Sequence, residues 1–412
     1  MTVSGNNRSD GPGKATRIMA AGRRPEWTGA PGTAMTVVNP PVWRASTHLY
    51  PDTAALAGGA RQNEDGHFFY GRRGSPTQWA LADALTALEP GAAGTVLYPS
   101  GVAAIHAALL TVLRTGDVLL MCDNAYDPSR AFSRGLLADF GVETRFFDPL
   151  DLPGFEAAIC ARAKAVLLEA PGSLTMEVAD VPALAAIARG RGLISLIDNT
   201  WASALGFPAL ARGVDIALMS LTKHVGGHSD LMMGSASAGP DLYARLRKTA
   251  QALGQVVSPD DAALALRGLR TLGLRLERQS ASTLEIARFL SGCPEVAAVL
   301  CPMLPGSLGH DFWARDFTGG CGLFSFIFSG GDAGRRNAFI DALELFGIGY
   351  SWGGFESLAV PVDPAPIRSI SPWPPAGMAP ADRFGVRLFV GLEDAADLIA
   401  DIEQALDAWR KA

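Results

Sequence analysis

IALMSLTKHVGGHSD, residues 216–230, joins an apolar run to a single lysine, Lys223, and then to two glycines and two histidines. The apolar run predicts a buried strand that ends just before Lys223. Apolar surroundings disfavour the charged form of an amine, which leaves a neutral amine available as a nucleophile or base. The alternative is a lysine whose stem lies along the strand end while its ammonium reaches water. The other motifs of the chain decide between these two interpretations.

Four apolar runs of this kind occur in the first two thirds of the chain. They are continuous, not alternating, which is typical of strands covered on both faces in a mostly parallel sheet. They read DVLLMCD (117–123), AVLLEAP (165–171), LISLIDN (193–199) and DIALMSL (215–221). Amphipathic segments that end at glycine lie between them, at 129–141 and 181–192. This alternation predicts an α/β fold with a doubly wound sheet.

Polar side chains follow each of these runs. Tyr126, Ser173, Asp198 and Lys223 each come shortly after an apolar run. In open α/β sheets, ligands bind beyond the carboxyl ends of the strands. We therefore expect these four side chains to lie along one edge of the sheet.

The pattern changes near residue 268. A long amphipathic helix is predicted over 267–290, followed by a smaller α+β segment with strand candidates at 323–330 and 386–391. Helices are predicted at 335–347 and at the C-terminus, with a proline-rich loop at 361–377. We place a large domain at 75–268 and a C-terminal domain at 269–412.

Composition argues against several classes of protein. The 412 residues carry a formal net charge of −6, which disfavours binding to nucleic acid or to anionic membranes. No apolar stretch reaches the roughly 18 residues that span a bilayer. The five cysteines contain no CxxC pair and indicate reduced thiols. We expect a cytoplasmic protein whose first 35 residues, rich in Gly, Arg and Ser and without a secretory apolar segment, are disordered.

The residues around Lys223 meet the needs of pyridoxal 5'-phosphate (PLP), the main cofactor that forms a Schiff base with lysine. A carboxylate must hold the pyridine nitrogen protonated, and Asp198 ends a strand before Lys223. A helix N-terminus with small residues must receive the phosphate, and Gly101 and Val102 open an Ala-rich helix. An aromatic ring should cover the cofactor, as Tyr126 can. Separately, these features are ordinary turns, caps and packing residues; together they favour a PLP site.

His224 and His228 raise the alternative of a metal site. Their spacing imitates a pair of ligands on one helix face. The glycines at 226 and 227 argue against a rigid helix there, and no cysteine or carboxylate cluster completes a coordination shell. We predict no metal.

These motifs resemble the PLP-dependent transsulfuration enzymes of cysteine and methionine metabolism, over residues 44–408. The resemblance rests on YGRRGSPT (70–77), PSGVAAI (99–105), APGSLTMEV (170–178), DNTWA (198–202), SLTKHVGGHSD (220–230), YSWGGFESL (350–358) and RLFVGLED (387–394). It implies the aspartate aminotransferase-like fold of PLP enzymes, fold type I. That fold has a mostly parallel seven-stranded sheet and a smaller α+β C-terminal domain.

The resemblance also implies roles for individual residues. The implied catalytic residues are Lys223, which carries PLP, Tyr126, which stacks on its ring, and Asp198, which pairs with its nitrogen. The residues implied in phosphate binding are Gly101, Val102, Ser220, Thr222 and, from an N-terminal arm (36–74) that reaches a neighbouring subunit, Tyr70 and Arg72. The residues implied in binding the substrate carboxylate are Arg387, Ser351 and Trp352. This arrangement implies a homotetramer built from dimers with shared active sites.

The reaction implied is β-elimination of L-cystathionine, because tryptophan after Ser351 resembles the β-lyase branch of the family. Three alternatives stay open. One is γ-elimination or γ-replacement on the same scaffold, and another is a catalytically silent PLP-binding protein. The third, a Rossmann oxidoreductase, is disfavoured because no strand is followed by a GxGxxG turn.

Overall fold

Two β-sheets occupy successive parts of the chain. The computed structural model describes residues 13–29, 32, 34–59, 66–375 and 377–412. The first sheet contains β1 (Gly94–Tyr98), β2 (Val118–Cys122), β3 (Glu143–Phe147), β4 (Ala163–Glu169), β5 (Ile194–Asp198), β6 (Ile216–Ser220) and β7 (Gly234–Ala238). The second contains β8 (Val296–Leu300), β9 (Leu323–Phe328), β10 (Gly347–Ile348), β11 (Leu358–Val362) and β12 (Gly385–Phe389).

The first sheet is the predicted seven-stranded, mostly parallel sheet. Its strand order is β1-β7-β6-β5-β4-β2-β3, and only β7 runs antiparallel to its neighbours. The four predicted apolar runs form β2, β4, β5 and β6. Because these four strands are parallel, the segments that follow them meet at one edge of the sheet, which confirms the predicted α/β class.

Helices cover the sheets and connect their strands. They are α1 (Lys14–Ala20), α2 (Pro25–Thr28), α3 (Thr53–Gly59), α4 (Pro76–Leu88), α5 (Gly101–Val112), α6 (Asp127–Arg134), α7 (Leu136–Asp139), α8 (Leu152–Ala158), α9 (Val181–Gly190), α10 (Ser203–Gly206), α11 (Pro240–Ala252), α12 (Pro259–Leu269), α13 (Leu272–Ser291), α14 (His310–Asp316), α15 (Ala333–Asp341) and α16 (Ala395–Lys411). Local chemistry explains several starts. Ser75 and Gln78 form a capping box before α4, for example, and Pro76 occupies the first helical position.

Two predicted helices are each divided in the structure. The segment 129–141 forms α6 and α7, which meet at Gly135, and the segment 267–290 contributes to α12 and α13, which are separated by Arg270 and Thr271. The first and second sheets share no strand among the described residues. The domain boundary that we propose near residue 268 lies at the end of α12.

The structure places two short helices, α1 and α2, in the N-terminal segment for which we predict disorder. Residues 1–12 of the predicted tail lie outside the described residues. Helix α1 packs against α4 and buries Ile18, which is 3% exposed. Lys14 Nζ donates to the carbonyl of Leu205 at 2.7 Å, and Arg270 donates to the carbonyl of Ile18. These contacts come from distant parts of the chain, which composition cannot reveal.

A cluster of hydrogen bonds at Asp123 binds the proline-rich segment 361–377 to the large sheet. The carboxylate of Asp123, just beyond β2, accepts hydrogen bonds from the backbone N–H groups of Ser369, Ile370 and Ser371. Arg130 on α6 donates to Asp123 Oδ1 at 3.0 Å. Charge and hydrogen bonds therefore hold this segment beside the carboxyl ends of β2 and β4.

No helix among the described residues combines the length and apolar character required to cross a bilayer. The described residues also contain no group of three or more His, Cys, Asp and Glu side chains placed to hold a metal ion. His228 Nδ1 instead lies 2.9 Å from the carbonyl of Gly226.

Candidate active site

Lys223 lies three residues beyond β6 and is held by residues from the C-terminal part of the chain. Its Nζ donates to Ser351 Oγ at 2.6 Å and lies 5.4 Å from the centre of the Trp352 ring. Burial, and then the positive charge of Arg387, lower the pKa of Lys223 to about 8, although the negative charge of Asp198 opposes the shift. A pKa of about 8 leaves an appreciable neutral fraction near neutral pH. The amine is thus desolvated, as a nucleophile requires.

A turn at residues 351–353 brings the second sheet to the lysine. Ser351 has φ +83°, which is uncommon for a residue with a side chain. Gly353 has φ +93°, and a Cβ atom there would lie 2.7 Å from the carbonyl carbon of Lys223. Only glycine fits this approach. Arg387 Nη2 on β12 donates to the Ser351 carbonyl at 3.2 Å, so Ser351 contacts both cationic side chains.

Trp352 forms a wall of the site. Its ring meets the ring of His224 at 60°, with 5.1 Å between centroids. Burial, and next the charge of Arg275, lower the pKa of His224 to about 3, so this histidine is neutral at physiological pH. His224 is therefore a packing residue against Trp352.

Asp198 ends β5 and is oriented by Thr200. Its Oδ1 accepts hydrogen bonds from the Thr200 backbone N–H, at 3.0 Å, and from the Thr200 hydroxyl. The same hydroxyl oxygen accepts the Ser220 backbone N–H at 2.8 Å, which connects Asp198 to the end of β6. Burial raises the pKa of Asp198, and the Thr200 hydrogen bonds and Lys223 oppose this. We did not predict a role for Thr200. The Asp-x-Thr pattern at 198–200, which is typical of a turn closed by a side-chain hydrogen bond, could have indicated one.

Tyr126 is held in place through its backbone. Its N–H donates to Glu169 Oε2 at 2.7 Å, while the side chain is 41% exposed. Burial, and then the carboxyl of Glu169, raise the pKa of the Tyr126 phenol, whereas Arg387 lowers it. Because the net shift is upward, the phenol is protonated at neutral pH. Glu169, at the end of β4, was also missed by the sequence analysis.

The N-terminus of α5 can receive an anion. Ser100 caps the helix by accepting the Ala103 N–H at 3.1 Å, and the first N–H groups of a helix, here those of Gly101 and Val102, have no intrahelical acceptor. A Cβ atom on Gly101 would lie 2.6 Å from Cβ of Ser220, so glycine permits α5 to approach β6. Free N–H groups and the helix dipole suit a phosphate.

Thr222, predicted to bind phosphate, uses its hydroxyl differently in this structure. The hydroxyl donates to the Met233 carbonyl at 3.2 Å and accepts the Met233 N–H at 3.0 Å. To accept a hydrogen bond from the Thr222 hydroxyl, a phosphate would have to replace the Met233 carbonyl as its acceptor. The contribution of Thr222 stays a prediction.

Tyr70 and Arg72 lie apart from this site. They line an open pocket of about 520 Å³ with residues 43–46 and 256–260. Arg72 Nη1 donates to the carbonyl of Gln251 at 3.1 Å. Within the described ranges, no hydrogen bond or ion pair joins either side chain to Lys223 or its neighbours. Their predicted role in the site of a neighbouring subunit stays a prediction.

The site residues fit PLP. Lys223 offers a desolvated primary amine, and Asp198 offers a buried carboxylate fixed by Thr200. The start of α5 offers N–H groups beside Ser220 for the phosphate. The aldehyde, the pyridine nitrogen and the phosphate of PLP therefore each have a suitable counterpart at the same sheet edge.

Known proteins match this chain over nearly its whole length. A family model described as "Cys/Met metabolism PLP-dependent enzyme" matches residues 26–407. Cystathionine β-lyase MetC of Escherichia coli is 41% identical over 391 residues, covering 94% of this chain and 96% of that protein. Cystathionine β-lyase of Salmonella typhimurium is 40% identical over 390 residues, covering 94% and 96%.

A solved structure agrees with these sequence matches. The crystal structure of metB from Corynebacterium glutamicum superimposes with a TM-score of 0.85 at 30% identity, covering 96% of this chain and 98% of that one. The fold is fold type I of the PLP-dependent enzymes, and PLP is the cofactor. On the family model, the relatives and the fold together, the chain belongs to the PLP-dependent enzymes of cysteine and methionine metabolism.

Proposed function

We propose that this protein is a PLP-dependent carbon–sulfur lyase that cleaves L-cystathionine by β-elimination, yielding homocysteine, pyruvate and ammonia. The observation that carries the proposal is the contact of the Lys223 amine with Ser351, beside Trp352 and Arg387. The similarity to the cystathionine β-lyases of Escherichia coli and Salmonella typhimurium supports it.

Arg387 is the proposed binding group for the substrate α-carboxylate. Its guanidinium is half-buried on β12, and burial lowers its pKa while the Tyr126 and Tyr350 hydroxyls oppose the shift. An arginine that is partly desolvated gains most from an anionic partner, and the planar fork matches a carboxylate with two hydrogen bonds. The bond from Arg387 to the Ser351 carbonyl keeps the guanidinium in place.

Lys223 is the proposed base. When bound, PLP supplies an electron sink for the charge left on the substrate α-carbon after its proton is removed. Lys223 Nζ, with a pKa of about 8, can accept that proton and return it, as general acid–base catalysis requires. Ser351 Oγ orients the amine at 2.6 Å.

A proton must reach the sulfur as the bond to the β-carbon breaks. The electron pair of that bond leaves with sulfur, and the proton comes from Lys223 Nζ or from the Tyr126 hydroxyl, which is protonated because its pKa is raised. Homocysteine is released, and water converts the remaining three-carbon fragment into pyruvate and ammonia. The Trp352 ring, whose centre lies 5.4 Å from Lys223 Nζ, covers one side of the amine.

We further propose a cytoplasmic homotetramer in which Tyr70 and Arg72 of one subunit contribute to the phosphate site of another. The exposure of Tyr70, 45%, supports an intersubunit role, because this aromatic ring is uncovered in the single chain. The five free cysteines support a reducing compartment.

Identification of the keto acid tests the proposal. Purified protein incubated with L-cystathionine should release pyruvate, whereas γ-elimination would release 2-oxobutyrate. Cystine, cysteine and other sulfur amino acids in the same assay would rank the substrates. The Lys223→Ala variant should lose the visible absorbance of lysine-bound PLP and at least about a thousandfold in turnover. Release of 2-oxobutyrate, or near wild-type turnover by the variant, would contradict the proposal.

A further inference from the structure

Glu169 has no part in the reaction described above, although it lies beside the residues that do. It ends β4, and Asp198 ends the adjacent parallel strand β5. The two residues are paired in the strand register. Paired residues on neighbouring parallel strands lie about 4.8 Å apart and point to the same face of the sheet. Two carboxyl groups therefore lie side by side at the edge where PLP binds.

Glu169 is also the group that fixes the backbone of Tyr126. Its Oε2 accepts the Tyr126 N–H at 2.7 Å. Tyr126 occupies the N-cap position of α6, with φ −51° and ψ 132°, and its own side chain makes no capping hydrogen bond. The Tyr126 side chain therefore takes no part in capping α6, and the direction of its Cα–Cβ bond depends on the hydrogen bond from its N–H to β4.

The two carboxyl groups have different surroundings. Burial raises the pKa of Asp198 too, but two hydrogen bonds from Thr200 and the attraction of Lys223 oppose that shift by favouring its charged form. The charged form of Glu169 is disfavoured by burial and by Asp198, so the pKa of Glu169 is well above its ordinary value. Glu177 acts in the same direction, and the Tyr126 N–H and Arg368 oppose it.

The groups that face Glu169 supply little positive charge to hold it ionised. Arg368 is already paired with Glu177 at 2.6 Å, so its positive charge is largely compensated. Cys122, at the end of β2, also faces Glu169, and burial raises the pKa of this thiol well above its usual value, which keeps it neutral. Neighbouring acids with opposite environments titrate apart, one charged and one neutral.

We propose that Glu169 is a positioning residue that works as an uncharged acid: it holds the Tyr126 backbone so that the phenol faces the substrate, and it leaves the negative charge on Asp198. This inference rests on the proposed function, because it assigns Tyr126 a part in the reaction. Glu169 acts through Tyr126 and does not itself touch the substrate.

Four variants of the PLP-loaded enzyme test it: Glu169→Gln, Glu169→Ala, Tyr126→Phe and the double variant Tyr126→Phe/Glu169→Ala. Glutamine keeps an uncharged oxygen that can accept the Tyr126 N–H, so kcat/KM should stay within about threefold of wild type. Alanine removes the acceptor, so kcat/KM should fall about tenfold. In the Tyr126→Phe background the alanine change should cost less than about threefold, because its effect passes through the phenol.

The visible circular dichroism of bound PLP, measured without substrate, gives a second readout. It should change in Glu169→Ala, since the ring that covers PLP shifts, and should be preserved in Glu169→Gln. The dichroism does not depend on turnover, so it tests the role of Glu169 even if the proposed reaction is wrong. The proposed reaction is tested separately, by identifying the keto acid that the wild-type enzyme releases.

Three results would overturn the inference. The first is a loss of kcat/KM in Glu169→Gln as large as in Glu169→Ala, which would mean that a charged carboxylate is required. The second is an unchanged kcat/KM in Glu169→Ala. The third is that the effects of Tyr126→Phe and Glu169→Ala add in the double variant. If Glu169→Ala does not fold, Glu169→Gln decides alone. Wild-type dichroism and turnover then support the neutral acid, and their loss contradicts it.

Discussion

The Asp123→Asn substitution should release the proline-rich segment from the large sheet. In the wild-type protein, Asp123 accepts the backbone N–H groups of Ser369 at 2.9 Å, Ile370 at 2.8 Å and Ser371 at 3.0 Å. It also accepts the Ser369 hydroxyl at 2.6 Å and pairs with Arg130 at 3.0 Å. Asparagine has only one acceptor oxygen, and the hydrogens of its NH₂ group would face the N–H donors that Asp123 accepts in the wild-type protein.

The buried ion pair sets the size of the effect. The side chain of Arg130 is only 2% exposed and that of Asp123 is fully buried. Removing one charge of such a pair leaves the other uncompensated, which costs about 3–5 kcal/mol. Since 1.4 kcal/mol is a factor of ten, opening of the segment should become roughly 10²- to 4 × 10³-fold more frequent.

Amide hydrogen exchange measured by mass spectrometry is the assay, because it reports the opening of individual segments. Residues 369–371 should exchange correspondingly faster in Asp123→Asn, at the same PLP and protein concentrations as wild type. Asp260→Asn is the matched control, because Asp260 pairs with Arg44 on the exposed surface. Unchanged exchange at 369–371 in Asp123→Asn, or an equal increase in the control, would refute the reasoning.

Two further predictions concern Lys223 and the turn against it. Burial and Arg387 lower the pKa of Lys223 to about 8, and only the neutral amine reacts with PLP. The rate at which PLP attaches to cofactor-free protein, followed by visible absorbance, should therefore rise about tenfold per pH unit up to pH 8 and stay constant above it. A rate that kept rising until about pH 10.5, the ordinary pKa of lysine, would contradict the shifted pKa. The Gly353→Ala variant, whose new Cβ would lie 2.7 Å from the Lys223 backbone, should lower kcat/KM by about ten- to a hundredfold. The control is Gly349→Ala, whose nearest contact would be at 3.8 Å and which should leave kcat/KM unchanged. Equal effects of the two variants would exclude this steric cause.

Much of the first sheet was predictable, because its central strands are continuous runs of large apolar residues. Strand β7, Gly234–Ala238, was not predicted. It reads GSASA, whose small residues carry no hydrophobic signal. The fold needs them small, since a Cβ on Gly234 would lie 2.2 Å from the carbonyl oxygen of Ser100. The same requirement for close approach selects Gly101 at the start of α5.

Candidate residues of the active site could be named from the sequence, but the contacts between them could not. The resemblance named Lys223, Asp198 and Arg387, while Glu169 and Thr200 were found only in the structure. Glu169 looks like an ordinary strand-end carboxylate until its bond to the Tyr126 N–H is known. Burial, and then Asp198, which strand register places beside it, raise the pKa of Glu169 well above its ordinary value.

Short-range interactions are recorded in the amino-acid order itself. Apolar runs, helix caps and glycine stops act over a few residues, so strands, helix starts and the order of polar residues along the sheet edge could be inferred from it. The protonation state of Lys223 could not be inferred from the sequence, because its hydrogen-bond partner Ser351 is 128 residues away. Burial and charge at that amine arise only when the second sheet packs its turn against the first, and desolvation is a property of that packing.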